Sequence, residues 1–324
     1  LKMLSFTKEI ALVASALCLS SVQTAQAEDI VLGYMPGSMI YPYNAIGAKD
    51  FEDEAKKLGA RVIIIDPQGT VEAQANGIDD LILQGVKGIA MLPLDGIAAQ
   101  SWADRAAEAG IPFVSVATQV GDWQTRAWND VYPNVSALVG MDNVASGEMA
   151  GKMAADILPK DRMVKIAIVE GAPGYPQVPQ RTKGFRAGLD AAGIKYEIVA
   201  SQPTDWTAEK GMAVCQAFAT SHPDLDLVFS QADPGAVGCA HAFGDLRVKT
   251  PIISGDGGSF DGAKAIEEGG IAGSICDRPG YQGRLAARAL MEAVTNPDTP
   301  KGRLVNLEIW PTTKNSLKDC PPEY

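Results

Sequence analysis

Two acids, a glycine-rich loop, five cysteines and two histidines are the features of this sequence with chemistry to offer. Asp256 and Asp277 are the acids. A pair of carboxyl groups can in principle hydrolyse a glycosidic bond, one as acid and the other as base or nucleophile, and it can equally accept hydrogen bonds from a hydroxylated solute. Gly255, Asp256, Gly257 and Gly258 form the loop. It lacks the Lys-Ser/Thr ending of a phosphate-binding loop and the glycine spacing of the dinucleotide fingerprint, so nucleotide binding is excluded. His222 and His241 are the only histidines, and neither is spaced with the cysteines as a zinc site requires. No nucleophile elbow or kinase-type loop is present. No catalytic residue, metal or cofactor is expected.

The ends and the composition say where such a chain works. Lys2 and Lys8 precede an apolar run from Ile10 to Leu19, followed by Ala25, Gln26 and Ala27. This is the pattern of a secretory signal peptide cleaved after Ala27, and the run is shorter than the roughly 20 residues that span a bilayer. Cys18 would suit a lipid anchor, but Leu17 stands where lipoprotein processing expects a small residue. About 300 residues then remain, more than one core usually serves, and two lobes are expected. A net charge of −11 argues against nucleic acid as partner. No later segment is long and apolar enough to insert in a membrane. The remaining cysteines, Cys215, Cys239, Cys276 and Cys320, suggest disulfides in an exported chain, with three possible connectivities.

The elements that must position these residues alternate. Apolar runs at Ile30 to Met35, Arg61 to Asp66, Val86 to Leu92 and Pro112 to Val116 read as strands, each followed by an amphipathic stretch. The stretch Ala45 to Leu58 reads as a helix closed by Gly59. Val62 to Ile65 is continuously apolar, as a strand buried on both faces would be. Ala117 to Tyr132 reads as an irregular rim or linker. A second series follows, with strands near Lys165 to Val169, Lys195 to Ala200, Leu225 to Phe229, Pro251 to Ser254 and Gly273 to Cys276. The expected fold is α/β, with two doubly wound parallel-sheet lobes. Open parallel sheets bind ligands at the carboxyl ends of their strands, which directs attention to Met35 to Asn44, Ala117 to Trp123, Glu170 to Arg181, Gln202 to Trp206, Gln231 to Pro234, Gly255 to Ser259 and Asp277.

Those strand ends carry a resemblance. Tyr41, Pro42 and Tyr43; Gly85 to Ile89; Asp142 and Asn143; Arg181 to Phe185; Ser201 to Trp206; Gln231 to Asp233; and Gly255 to Gly257 recur in the order seen in periplasmic sugar-binding proteins of the ribose-binding family. The resemblance implies a type I periplasmic binding fold with a three-crossing hinge near Met141, Arg278 and Leu304. One lobe would hold 28–141 plus 278–303, the other 142–277 plus 304–324. It also implies a ligand set: Arg181 and Asp256 gripping hydroxyls, Trp206 and Tyr43 as aromatic platforms, and Asn44, Thr118, Gln119, Asp233 and Asp277 around them.

Departures from the family pattern bear on the ligand. Ala117 and Thr118 replace an Asp-Arg pair, Ala232 an Asn, Gly255 an aromatic residue and Asp277 a Gln, so plain ribose is not expected. Gln119, Asp122 and Trp123 are candidates to compensate, and a polyol, a modified sugar or a partly cationic solute fits better. Cys215 and Cys239 fall on neighbouring helices of a doubly wound lobe, which leaves Cys276 to bond Cys320. The expected protein is a monomeric receptor in the periplasm, capturing a small polar ligand by lobe closure and handing it to an ABC transporter permease. A periplasmic sensor subunit presenting ligand to a membrane receptor or histidine kinase would read the same way.

Overall fold

A computed structural model describes residues 30–324; the segment read as a signal peptide and its expected cleavage point lie outside the described residues. The first series runs β1 (Ile30–Met35), α1 (Pro42–Lys57), β2 (Ala60–Ile64), α2 (Val71–Leu83), β3 (Gly88–Met91), α3 (Ala98–Glu108), β4 (Phe113–Val116) and β5 (Ala137–Gly140). The second runs α4 (Asn143–Ile157), β6 (Val164–Val169), α5 (Gln177–Ala191), β7 (Tyr196–Gln202), α6 (Ala208–Ser221), β8 (Leu227–Ser230), α7 (Asp233–Leu246), β9 (Ile252–Ser254), α8 (Phe260–Glu268) and β10 (Ser274–Ile275). The chain then returns through α9 (Pro279–Thr295) and β11 (Arg303–Asn306) before ending in β12 (Pro311–Thr312), a short turn of helix and a tail.

Two parallel sheets result. The first has the order β2-β1-β3-β4-β5-β11 and the second β7-β6-β8-β9. Beyond β9, a single bridge from Ile253 to Gly273 leads into β10, which pairs antiparallel with β12. In both lobes the first strand lies between the second and the third, so the chain reverses direction across the sheet at that point. This doubly wound arrangement opens a crevice at the strand ends.

Successive side chains of a strand point to opposite faces, and the cores follow that rule. On β4, Phe113 packs with Met35, Ile78, Leu81 and Trp102 under α2 and α3, while Val114 packs with Leu32, Phe51 and Leu290 under α1 and α9. On β8, Leu227 and Phe229 face α4 and α5, where Phe229 stacks on Phe185 at 4.0 Å, and Val228 faces α6 and α7.

Three sequence expectations need correction. Val62 to Ile65 was expected to be buried on both faces; β2 is instead the free edge of the first sheet, and these residues are only partly buried. The stretch read as a rim before the second lobe is followed by a further strand, β5, which pairs with β4. The third crossing was expected near Leu304, but Leu304 pairs with Leu138 inside the first sheet and the chain leaves only after Asn306. Elsewhere β5 ends at Gly140 and α4 begins at Asn143, and β10 ends at Ile275 and α9 begins at Pro279.

Both expected disulfides form. Cys215 on α6 bonds Cys239 on α7 with Cα atoms 5.1 Å apart. Cys276 bonds Cys320 at 5.8 Å, fastening the tail beside the end of β10.

Candidate ligand-binding cleft

The carboxyl ends of the two sheets face each other across a cavity of about 140 Å³. Tyr41, Tyr43 and Asn44 enter it from the start of α1, Ala117 from the end of β4, and Asn143 from the first turn of α4. Tyr175, Gln177, Arg181, Trp206, Asp256 and Asp277 enter from the second series. Gln282 on α9 and Tyr324 in the tail complete the wall.

Arg181 owes its position to a close helix contact. A Cβ on Gly184, one turn further along α5, would lie 1.9 Å from the Val144 carbonyl oxygen, and one on Gly147 would lie 2.2 Å from the Arg181 carbonyl oxygen. Glycine at both positions lets α4 and α5 pack backbone to backbone, and this brings Arg181 to the facing helix. Its Nε donates to Asn143 Oδ1 at 2.9 Å, one terminal nitrogen donates to the Gln231 carbonyl at 2.8 Å, and the other meets Asp256 Oδ2 at 2.7 Å. These three contacts, one at each nitrogen, fix the orientation of the guanidinium, which is the condition for a paired contact to cost little rotamer freedom.

A second polar cluster faces it. Tyr43 donates its hydroxyl to Asp277 Oδ2 at 2.9 Å, and Gln282 Nε2 donates to Asp277 Oδ1 and, at 3.2 Å, to the Tyr43 oxygen. Among the described residues, Asp256 Oδ1, Gln177 Oε1 and Gln282 Oε1 are buried acceptors without a hydrogen-bond partner. A buried polar oxygen left unpaired costs about 1–3 kcal/mol, so three of them around one cavity ask for a molecule rich in hydrogen-bonding groups.

Burial sets the protonation of the site. It pushes the Asp256 carboxyl well above the usual carboxylate range; Arg181 opposes that rise and the neighbouring Asp277 charge reinforces it. Burial, with the charges of Asp277 and Asp256, raises the Tyr43 phenol well above its ordinary value, and burial with Asp256 does the same for Tyr324. Tyr175 is pushed up to about 12 by burial. The phenols therefore stay protonated and can donate.

The aromatic wall is built from strained backbone. Trp206 takes a left-handed φ of 64° just before α6. Its ring lies on Gly171, where a Cβ would stand 1.8 Å from the indole. Tyr175 meets the indole edge-on at 5.7 Å. Thr207 caps α6, its hydroxyl accepting from Lys210 N–H, and Asp205 in turn accepts from Thr207.

Of the nine residues expected at the site, Tyr43, Asn44, Arg181, Trp206, Asp256 and Asp277 line the cavity. Thr118, Gln119 and Asp233 do not. Thr118 accepts from Gln177 Nε2 at 2.9 Å and so stands behind the wall. Gln119 donates to the Ala127 carbonyl. Asp233 accepts from the hydroxyls of Ser259 and Ser274 and fixes the loop that carries Asp256; burial raises its carboxyl despite those bonds. Asp122 and Trp123, the candidate substitutes on the β4–β5 loop, also lie outside the cavity; Trp123 instead takes Lys183 of the opposite lobe over its ring at 5.4 Å. Tyr41, Asn143, Tyr175 and Gln177 fall within stretches or motifs singled out from the sequence, whereas Gln282 and Tyr324 carry no local signal.

A family model described as a periplasmic binding protein domain matches residues 32–298. The chain belongs to that family. Among curated relatives, the ribose import binding protein RbsB of Bacillus subtilis is 30% identical over 81% of this chain and 81% of its own length. The D-allose-binding periplasmic protein of Escherichia coli is 27% identical, covering 82% of this chain and 83% of its own. The fold agrees: the myo-inositol binding protein of Caulobacter superposes with a TM-score of 0.80 at 23% identity, over 91% of this chain and 97% of its own. The family is one of periplasmic binding proteins rather than enzymes, and among the described residues no helix is long and apolar enough to cross a membrane.

Proposed function

We propose that the mature chain, released by cleavage after Ala27, is a monomeric periplasmic receptor. It closes its lobes on a sugar, a polyol or a similar small polar molecule and delivers it to an ABC transporter permease. The lobes comprise 28–141 plus 278–306 and 142–277 plus 307–324, joined at three crossings. The observation that carries this reading is the convergence on one cavity of Arg181, Asp256 and Asp277 from the second lobe with Tyr43 and Gln282 from the first, around three unpartnered buried oxygens. Adjacent hydroxyls satisfy such acceptors, and the faces of Trp206 and the tyrosines suit the C–H groups between them. Contacts made to both lobes only when they are shut give the ligand its differential affinity for the closed form.

Relatives named for ribose and D-allose, and similar folds solved with myo-inositol and D-arabinose, define the panel to test. Purified protein titrated with these four, with tryptophan fluorescence followed because Trp206 lines the cavity, is expected to respond to at least one saturably. A flat response to all four, with calorimetry equally silent, counts against the receptor reading.

A further inference from the structure

Residues 320–324 lie far from every motif discussed above, yet they reach the ligand cavity and both lobes. Cys320 is bonded to Cys276 at the end of β10. From there the Glu323 N–H donates to the Gly258 carbonyl at 2.9 Å, and the Tyr324 carbonyl accepts from Phe260 N–H at 2.6 Å. These contacts hold the tail to the second lobe. Across the gap, Glu323 Oε2 accepts from the backbone N–H groups of Gly280 and Tyr281, at 2.7 and 3.3 Å, in the first turn of α9. Glu323 also meets Arg284, which is paired in turn with Asp50 on α1. The Tyr324 ring stands edge-on to Tyr43 at 5.8 Å and forms part of the cavity wall.

We propose that the tail is a disulfide-tethered clasp of the binding cleft, in which Tyr324 is a specificity-determining wall for the ligand and Glu323 fastens the tail to the first-lobe helix α9. The inference rests on the receptor reading for its ligand, but the clasp itself is a property of the protein alone. A carboxylate accepting two N–H groups at a helix start is favoured by unpaired amides and by the helix dipole together. Tyr324 has a fixed place because its backbone is hydrogen-bonded on one side and its strand of tail is covalently held four residues earlier. A free tail would present the same ring only at the cost of ordering it on each binding event. The Cys276–Cys320 bond removes that cost; the Cys215–Cys239 bond joins α6 to α7, and neither of its cysteines lines the cavity.

The test compares wild type with Tyr324→Ala, Tyr324→Phe, Glu323→Gln and two disulfide-free variants, after circular dichroism has shown each to be folded. Dissociation constants are measured for D-ribose, D-allose, D-arabinose and myo-inositol, and the ligand-free radius of gyration is measured by small-angle X-ray scattering. Tyr324→Ala is expected to weaken binding about tenfold or more, as loss of a buried aromatic anchor does, and to change the order of preference among the four; Tyr324→Phe recovers most of that loss. Cys276→Ser with Cys320→Ser follows Tyr324→Ala, while Cys215→Ser with Cys239→Ser keeps the wild-type affinities. Glu323→Gln enlarges the ligand-free radius of gyration. Unchanged affinities and preferences in Tyr324→Ala overturn the clasp while leaving the receptor reading intact. If wild type binds none of the four, the receptor reading fails, and an unchanged radius in Glu323→Gln then overturns the clasp as well.

Discussion

At the scale of single residues the site is a contest between burial and charge, and Asp256 is where it shows. Its folded carboxyl titrates well above the roughly 3.9 of an unfolded aspartate because burial disfavours the charged form more than Arg181 favours it. The native protein thus holds a proton that the unfolded chain releases. Stability from this group is complete below the unfolded value and declines as the pH rises toward and through the folded one. Asp256→Asn keeps the shape and cannot ionise. The variant is expected to match wild type near pH 4 and to be the more stable at pH 7 without ligand. Melting temperatures of both proteins from pH 4 to 8 check this; parallel curves would sink it. The same scale shows why the sequence marked some site residues and not others. Arg181, Trp206 and Asp256 sit directly at strand ends or at the helix starts that follow them, where doubly wound topology makes position predictable. Gln119 has equally suitable chemistry at an equally suitable place, yet its amide is taken up by the Ala127 carbonyl of its own loop. Gln282 and Tyr324 reach the cavity only because the chain crosses the hinge more than once, and nothing local in the sequence encodes that.

At the scale of elements, the helix pair α4–α5 decides whether Arg181 and Asn143 meet. Gly184→Ala places a methyl 1.9 Å from the Val144 carbonyl oxygen, backbone that cannot yield without separating the helices. Overpacking of this kind costs about 1–3 kcal/mol, and because the displaced helix carries Arg181, ligand affinity is expected to fall with stability. Gly244 on α7 is the contrast: a Cβ there meets nothing within 4 Å. Gly244→Ala is expected to gain about 0.5–1 kcal/mol from helix propensity with binding untouched. Denaturant melts and ligand titrations of the two variants give both numbers, and equal behaviour of the pair would refute the close-packing account. Most elements were legible because each is a buried apolar run followed by an amphipathic helix. The exceptions have physical reasons. β5 is only four residues long and lies just beyond the polar stretch Ala117 to Tyr132. β2 is as apolar as an interior strand but lies at the sheet edge, where hydrophobicity alone does not reveal how many neighbours a strand has.

At the scale of the whole molecule, two sheets with separate cores share three crossings and one cavity. Phe113, Leu32, Phe229 and Phe218 belong to four distinct apolar clusters, two on each sheet, and half-buried Ile309 packs against one cluster of each lobe. Each lobe can therefore melt as its own unit unless something couples them, and lobes with independent cores are expected to show separable transitions. A ligand that touches only one lobe stabilises only that lobe. A ligand held by Tyr43 and Asn44 on one side and by Arg181, Trp206 and Asp256 on the other binds neither lobe once its partner has unfolded. Scanning calorimetry of the ligand-free protein is therefore expected to give a broad or double transition. Saturation with whichever sugar or polyol binds should merge it into one, with added stability of about 2.7 kcal/mol at a hundredfold excess over the dissociation constant. If ligand instead raises only one of two transitions and leaves the other where it was, its contacts lie on a single lobe, and closure around a shared cavity is not how this protein holds it.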